Sequence, residues 1–409
     1  MCCGEPDSRF DCMTPRRPGH PDPRRAAAAV LLTLALSVPL SGTASAAPAG
    51  PARIAPRAAY SSGLELPPLT GPYSVGRRTL HLVDRSRTDP WVPASGHREL
   101  MVTVSYPART TSGPPAAYMT DEEAQLLLEA RGLGGVVPRA VVAGARTHAR
   151  TDARPAAGRF PLVLLSPGFS MPRATLTSIA EDLASRGYVV ALVDHAYESV
   201  GTAFPGGRIL TCAACEQVGT REEQAAVVRV RAKDMSFVID ELTHGRGAGG
   251  LSRVIDPSRI GIGGHSIGGA AAAATMAADR RVRAGADLDG DFFVHPAGTG
   301  LGGRPFLMIG AASTHSPGAP TTDWSEAWRH LHGWKRWLTV DGAEHFSFTD
   351  LPYLAGQLGL SDPAVPLSGA RGWRITRDYV SAFFGLHLRG MRQPLLDGPG
   401  AIHPEVAFQ

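Results

Sequence analysis

The sequence has little excess charge of either sign. Its 409 residues include 41 Lys and Arg against 37 Asp and Glu, which leaves a formal net charge of +4 at pH 7. A protein that binds nucleic acid through its phosphates usually carries a strongly basic face, so this balance gives no reason to expect a nucleic-acid partner. The basic residues are mostly arginine. Together with 47 Gly and 34 Pro they indicate a compositional bias rather than a function.

Long hydrophobic runs are almost absent. The run from Ala26 to Leu40 is shorter than the roughly 20 apolar residues that span a bilayer. Arginines precede it and Ala44-Ser45-Ala46 follows it, an order typical of a secretory signal peptide. We therefore expect residues 1–46 to be a signal peptide and the protein to be secreted, with a membrane anchor as the alternative. Residues 47–68, rich in Ala, Pro and Ser, predict a flexible leader.

Cysteine is also scarce, with five in the whole chain. Removal of the signal peptide would leave only Cys212 and Cys215. A second C-x-x-C is missing, which disfavours a zinc site, and the pair lies too deep in the chain for a thioredoxin-type redox motif. We expect a small structural disulfide between these two residues, no metal and no cofactor.

Strands and helices alternate along most of the remaining chain. The predicted strands are 99–106, 160–165, 188–193, 259–263, 282–288, 305–309 and 337–340. The predicted helices are 175–186, 222–242, 268–277, 323–332 and 376–388. This alternation predicts an α/β domain with a mostly parallel central sheet and helices on both faces. We place the domain at 69–390, with an inserted helix and loop at 118–146 and a C-terminal tail at 391–409.

The most informative motif is Gly264-His265-Ser266-Ile267-Gly268. It follows one predicted strand and opens the next predicted helix, which is the strand–turn–helix context of a nucleophile elbow. Glycine two residues on either side of the serine allows this crowded turn. The helix N-terminus beneath the serine favours negative charge that develops there. We predict that Ser266 is a nucleophile.

A nucleophilic serine needs a histidine base, and that base needs a carboxylate to orient it. His345 is the preferred base, because it lies in a loop just past a predicted strand. His315 also follows a predicted strand and is the alternative.

Three aspartates, Asp287, Asp289 and Asp291, cluster at the end of the predicted strand 282–288. Strand alternation cannot separate them, since a spacing of two puts all three on one face. We choose Asp289, because it stands at the carboxyl end of the strand beside Gly290.

Two backbone N–H groups should also face the substrate's carbonyl oxygen as it becomes negative. One is expected from Ile267, directly after the nucleophile. The other is expected from Phe169 in the loop Ser166-Pro167-Gly168-Phe169-Ser170, which follows an early strand. An ordinary Pro-Gly turn is the alternative interpretation of this loop.

These motifs resemble the platelet-activating-factor acetylhydrolase group of α/β-hydrolases, the plasma and type II kind with bacterial relatives. The similarity covers roughly residues 98–390. It includes the early loop 165–169, the helix end 182–187, the strand end 193–195, the elbow, and then Asp289 and His345 in the expected order. The separation between elbow and acid is short, as in that family. Pro167 departs from the family, in which histidine is common.

The resemblance implies an α/β-hydrolase fold and a secreted serine enzyme. It would hydrolyse short-acyl lipid or phospholipid esters through an acyl-enzyme, without a metal and with transient contact to a lipid surface. A triglyceride or polyester lipase is the close alternative. An inactive hydrolase-like binding protein is the alternative from another class.

Overall fold

A computed structural model describes residues 63–245, 249–294, 300–320 and 322–409. The predicted signal peptide, 1–46, and residues 47–62 of the predicted leader lie outside the described residues.

A ten-stranded mixed sheet forms the centre of the protein, in the order β12-β11-β10-β9-β8-β4-β5-β2-β1-β3. Its strands are β1 (Ser74–Thr88), β2 (His97–Ala108), β3 (Arg150–Thr151), β4 (Phe160–Ser166), β5 (Val189–His195), β8 (Ile255–His265), β9 (Val282–Leu288), β10 (Phe306–Ala311), β11 (Lys335–Val340) and β12 (Val406–Phe408). Two short strands, β6 (Thr202–Phe204) and β7 (Arg208–Leu210), form a separate antiparallel pair.

The six strands from β11 to β5 in this order run parallel to one another. The strands β2 and β12 close this parallel part with antiparallel pairings on either side. The parallel strands are buried almost throughout, which explains their short, continuous apolar runs in the sequence. The predicted mostly parallel sheet is therefore confirmed.

Helices cover both faces of the sheet. They are α1 (Asp121–Ala130), α2 (Arg139–Ala143), α3 (Thr177–Ser185), α4 (Arg221–Thr243), α5 (Ile267–Ala278), α6 (Ala312–His315), α7 (Trp324–His330), α8 (Leu351–Gln357) and α9 (Gly369–Arg389). Apolar residues of α4 and α5 pack into one core, and those of α3 and α9 pack into the other. This layered arrangement confirms the predicted α/β-hydrolase fold class. In the part of the chain that the structure describes, no helix is long and apolar enough to cross a membrane.

The strand β1 is rich in charged residues and was not predicted from the sequence. Its Leu80 and Leu82 are buried, while His81 between them is only partly buried, as is Arg78 before them. The strand pairs with β2 over most of its length. Buried and less buried residues alternate along part of the strand, but its arginines hide this alternation in the sequence.

The packed domain extends beyond both predicted boundaries. Leu64 and Leu66, in the predicted leader, are buried in an apolar cluster with Leu127 and Leu128 of the insertion. The predicted C-terminal tail contributes β12, which pairs with β11. The domain therefore includes residues 63–68 and 406–408, because apolar side chains and backbone hydrogen bonds at both ends have partners in the fold.

The inserted segment 118–146 contains α1 and α2 rather than one helix. Thr120 begins α1 with a reciprocal capping box, in which Glu123 returns a hydrogen bond to the Thr120 backbone. Leu127 and Leu128 of α1 belong to an apolar cluster separate from the two cores of the sheet. The insertion therefore packs as a layer of its own.

The predicted disulfide is confirmed, because Cys212 and Cys215 are bonded, with 5.3 Å between their Cα atoms. The bond closes a single turn, and the Ala214 N–H inside it donates to the Tyr197 carbonyl at 3.0 Å. The disulfide therefore crosslinks a single surface turn and does not join distant elements.

Candidate active site

Ser266 lies on a sharp turn between β8 and α5. Its backbone has φ 57° and ψ −130°, a conformation that a non-glycine residue adopts only under strain. Its N–H donates to the carbonyl of Leu288 at 2.9 Å, which ties the turn to the next strand. A Cβ at Gly264 or Gly268 would overlap the backbone at Ser166, so both positions require glycine. The G-x-S-x-G motif therefore stands in the strand–turn–helix context that the sequence predicted.

Asp289 lies just past β9 and is 2% exposed. Its Oδ2 accepts a hydrogen bond from His345 Nδ1 at 2.6 Å, and its Oδ1 accepts one from the Ala311 N–H at 2.6 Å. Burial alone would raise the pKa of Asp289, but the bond from His345 and the nearby His315 ring lower it below its usual value. The carboxylate is therefore ionised and both of its oxygens are held in place.

His345 follows β11 and begins a short 3₁₀ helix, His345–Phe348. Its side chain is 43% exposed, and it lines the same cavity as Ser266. Because Nδ1–H donates to Asp289, Nε2 is the nitrogen left to accept a proton. The structure thus brings the predicted nucleophile, base and acid together.

The ring of His265 lies beside that of His345, with 4.6 Å between the centroids. Its Nε2–H donates to the His345 carbonyl at 2.7 Å. Burial and the neighbouring His345 lower the pKa of His265 to about 3. The ring is therefore neutral and adds no positive charge beside His345.

The alternative base, His315, lies on the other side of Asp289. Its Nε2 is 3.5 Å from Asp289 Oδ1, its ring is 5% exposed, and it stacks on Trp324. Its Nδ1 is 3.1 Å from Thr322 Oγ1. The shorter contact to Asp289 belongs to His345, and that ring is open to the cavity.

The alternative acids are placed differently from Asp289. Asp287 is fully buried, and its Oδ1 accepts the Gly290 N–H at 2.9 Å. Burial raises the pKa of Asp287 well above its ordinary value, which favours the neutral acid. Asp291 lies 3.5 Å from Arg221 in a partly exposed ion pair. Of the three, Asp289 is the one that bonds to His345.

The loop with the predicted oxyanion donor is anchored on the C-terminal side of Phe169. Ser170, at φ 64°, donates its N–H to the Glu198 carbonyl at 2.9 Å, and its own carbonyl accepts from Val200 at 3.0 Å. Phe169 packs against the apolar cluster that contains Ile267. Within the described residues, neither the Phe169 N–H nor the Ile267 N–H has a hydrogen-bond partner. Both donors are therefore free for a ligand, and their role as oxyanion donors stays a prediction.

Behind this loop lies a buried polar network that was not predicted from the sequence. Ser166 Oγ is 3.0 Å from His195 Nε2, and His195 Nδ1 is 2.8 Å from Asp234 Oδ2. Arg231 donates to Ser166 Oγ at 3.1 Å. Burial and the Arg231 charge lower the pKa of His195. The hydrogens can be ordered in one way: Arg231 donates to Ser166, Ser166 to neutral His195, and His195 to Asp234.

The network holds both ends of the oxyanion loop. Arg231 also donates to the Pro167 carbonyl and, at 2.7 Å, to Glu198 Oε2. Glu198 is the residue whose carbonyl accepts from Ser170. Arg98 neutralises the acids, because it donates to Glu198 at 2.8 Å and to Asp234 at 2.7 Å.

One sequence signal could have revealed this network. Val227, Arg231, Asp234 and Val238 follow one buried face of α4 at helical spacing. Two opposite charges on an apolar stripe predict a buried ion pair with partners elsewhere. The partners themselves come from β2, β4, β5 and the segment after β5, which only the fold brings together.

The cavity beside Ser266 has a volume of about 200 Å³ and is lined also by Gly168, Met171 and Arg131. Among the described residues, no cluster of three His, Cys, Asp or Glu side chains could hold a metal ion.

A mostly parallel sheet with a serine elbow beside a histidine–aspartate pair is typical of α/β-hydrolases that cleave esters. A family model for platelet-activating factor acetylhydrolase, isoform II, matches residues 58–241 and 248–361, and the chain belongs to this family.

Relatives support the same class. The chain is 30% identical over 379 residues to a probable 1-alkyl-2-acetylglycerophosphocholine esterase of Arthroderma benhamiae, covering 85% of this chain and 94% of the relative. It is 25% identical to a platelet-activating factor acetylhydrolase of Cavia porcellus, covering 72% and 70%. A solved ferulic acid esterase of Streptomyces cinnamoneus is 45% identical with a TM-score of 0.76, covering 85% of this chain and 100% of that one. The protein is therefore an ester hydrolase.

Proposed function

We propose that this protein is a secreted serine esterase that hydrolyses short-acyl lipid esters through an acyl-enzyme on Ser266. The observation that carries the proposal is the 2.6 Å bond between His345 Nδ1 and Asp289 Oδ2, made where His345 and Ser266 line one cavity. This bond leaves His345 Nε2 free to take the serine proton.

In the proposed reaction, Ser266 Oγ attacks the ester carbonyl carbon while His345 Nε2 takes the hydroxyl proton. The carbonyl oxygen becomes an oxyanion and accepts hydrogen bonds from the N–H groups of Phe169 and Ile267. Asp289 stabilises the imidazolium, which then donates its proton to the leaving alcohol oxygen as the carbon–oxygen bond breaks.

The acyl-enzyme is then hydrolysed by the same groups. A water attacks the acyl carbon and gives a proton to His345, a second oxyanion forms in the same place, and Ser266 recovers its proton as the acid departs. Because His265 is neutral, its ring does not repel the positive charge that forms on the neighbouring His345. This favours the imidazolium in both steps.

A short acyl group is supported by the small cavity at Ser266 and by the name of the Arthroderma relative, an esterase for a 2-acetyl lipid. Such substrates imply transient contact with a lipid surface. The second candidate is a hydroxycinnamate ester, favoured by the 45% identity to the ferulic acid esterase. The two candidates differ in the acyl group, so acyl selectivity separates them.

Secretion is proposed from the N-terminal order of arginines, apolar run and Ala44-Ser45-Ala46. Expression of the full chain in a secreting bacterial host should release protein that begins at residue 47. Intact residues 1–46 on membrane-bound protein would instead indicate an anchor.

The catalytic assignment is tested with p-nitrophenyl acetate and a fluorophosphonate probe. Ser266→Ala should lower kcat by several orders of magnitude with an unchanged melting temperature, and the probe should label only the wild type. Equal labelling of both proteins would refute Ser266 as the nucleophile. Methyl ferulate, assayed alongside, decides between the two substrate classes by its kcat/KM relative to the acetate.

The two histidines give a matched comparison. His345→Ala should lose most of the activity, whereas His315→Ala should retain most of it. The reverse order would make His315 the base.

A further inference from the structure

A large cavity adjoins the one that contains Ser266. Its volume is about 690 Å³, against about 200 Å³ for the cavity at Ser266. Leu127, Arg131 and Phe346 line both, so the two volumes meet at these side chains. Small-molecule sites usually occupy roughly 300–1,000 Å³, and the larger cavity falls in this range.

The walls of the larger cavity are mainly aliphatic. One wall comes from α1 and the chain after it, and the other from α8 and the chain after it. Their apolar side chains include Leu128, Leu133, Val137, Leu354, Leu358 and Leu360. All of them belong to the apolar cluster of the insertion or pack against it. The cavity is therefore a gap within an apolar layer, not a polar channel.

Polar groups in the cavity are few and mostly already paired or at its rim. The Tyr118 hydroxyl lies 3.3 Å from Asp350 Oδ2 and donates to it. Ser361 and Asp362 lie on exposed chain at the edge. A ring that carries hydroxyl and methoxy groups would find few partners in such an interior, whereas methylene groups need none.

Two side chains stand where the cavities meet. The Arg131 guanidinium lies 4.0 Å from the centre of the Phe346 ring and donates to Met171 Sδ at 2.5 Å. Phe346 follows His345 directly in the sequence, and Met171 directly follows the oxyanion loop. A substrate held by its carbonyl at Ser266 therefore reaches the larger cavity by passing Arg131 and Phe346.

We propose that the larger cavity binds a linear aliphatic chain of the ester substrate. The inference rests on the proposed function, because the carbonyl must be held at Ser266 for the chain to pass this point. Burial of a methylene group favours binding by roughly fourfold per group when it is complete. We therefore expect kcat/KM to increase with the length of the aliphatic chain until the chain fills the cavity.

The test uses the full chain and two homologous ester series, n-alkyl acetates from propyl to dodecyl and p-nitrophenyl esters from acetate to decanoate. All are assayed below the concentrations at which they form micelles. In the n-alkyl acetate series, where the acyl group is short, kcat/KM should rise on the order of tenfold or more from the shortest to the longest ester. A rise in the p-nitrophenyl series instead would place the chain on the acyl side and contradict the short acyl group of the proposed function.

Two variants fill the cavity from opposite walls. Leu133→Trp and Leu358→Trp replace partly buried side chains, and each should lower the ratio of long-chain to short-chain kcat/KM by at least about fivefold. The matched control is Ile402→Trp, at a position that is 70% exposed, which should retain the wild-type ratio. Having two positions guards against one variant that fails to fold.

Three results would overturn the inference. Flat chain-length profiles in both series would mean that something else fills the cavity, such as residues 1–62 or a second copy of the chain. Tryptophan variants that slow methyl ferulate and leave the chain-length ratio unchanged would show that the cavity binds an aromatic group. No hydrolysis of even the shortest esters by the wild type would overturn the proposed function itself, and the inference with it.

Discussion

Ser166 Oγ lies 3.0 Å from His195 Nε2 in the buried layer directly behind the oxyanion loop. With Asp234 these residues repeat the order serine, histidine, aspartate, yet all three side chains are buried. None of the three lines the cavity at Ser266, and Arg231 donates a hydrogen bond to Ser166 Oγ. This second set therefore holds structure, while Ser266 and His345 line the cavity and Asp289 bonds to His345.

Removal of the Ser166 hydroxyl should reduce catalysis without changing the substrate cavity. Ser166→Ala should lower kcat by roughly tenfold to a hundredfold with little change in KM, because the loop that presents the Phe169 N–H loses one anchor. The measurement is steady-state kinetics on p-nitrophenyl acetate, together with the melting temperature.

A matched control for this variant is Ser105→Ala. Ser105 is also buried, on β2, and its hydroxyl has no hydrogen-bond partner among the described residues. Its loss should leave kcat unchanged. Equal kcat values for Ser166→Ala and the wild type would show that the loop needs no such anchor.

The three aspartates at the end of β9 should differ sharply when each is changed to asparagine. Asp289→Asn should lower kcat by on the order of 10⁴ with little effect on KM, because the imidazolium of His345 loses its stabilising charge. Asp287→Asn should have a small effect, since burial raises the pKa of Asp287 and an amide resembles the neutral acid that this favours. If Asp287→Asn or Asp291→Asn is the most damaging while stability is unchanged, the assignment of Asp289 is wrong.

Reduction of the bond between Cys212 and Cys215 should leave esterase activity nearly unchanged. The bond closes a loop with a sequence separation of 3, so its contribution to stability should fall below the roughly 3 kcal/mol expected for a 15-residue loop. Activity and melting temperature are measured with and without reductant, and the double variant Cys212→Ser/Cys215→Ser serves as the control. Loss of activity in step with reduction would give the bond a functional role.

Asp350 should make folding stability depend on pH. Burial raises the pKa of Asp350 to about 7, despite hydrogen bonds from Ser178 and Tyr118. The folded state then binds this proton more tightly than the unfolded state, so the associated stability is lost as the pH rises towards and through 7. The free energy of unfolding of the wild type relative to Asp350→Asn should fall by about 2 to 3 kcal/mol between pH 5 and pH 8.

Urea denaturation of both proteins at the two pH values measures this difference. Asp397→Asn, a change at an exposed carboxylate, is the control and should show no such dependence. An identical difference between the wild type and Asp350→Asn at both pH values would contradict a raised pKa at Asp350.

Much of the fold was predictable because it depends on local patterns. Buried parallel strands such as β4 and β5 are continuous apolar runs, and glycine at positions 264 and 268 marks a turn that other residues would block. The long strand β1 was missed, because its arginines find partners only within the fold. One of them, Arg77, forms a buried ion pair with Glu181 of α3.

The order of Ser266, Asp289 and His345 along the chain was readable from the sequence, because each follows a strand end and parallel strands bring those ends to one edge of the sheet. Position at the carboxyl end of the strand already favoured Asp289 over Asp287 and Asp291. The tertiary structure added the contact that distinguishes it, since of the three only Asp289 bonds to His345. The tertiary structure alone revealed the Ser166, His195 and Asp234 set and the apolar cavity. These depend on side chains far apart in sequence, and no local pattern encodes their packing distances.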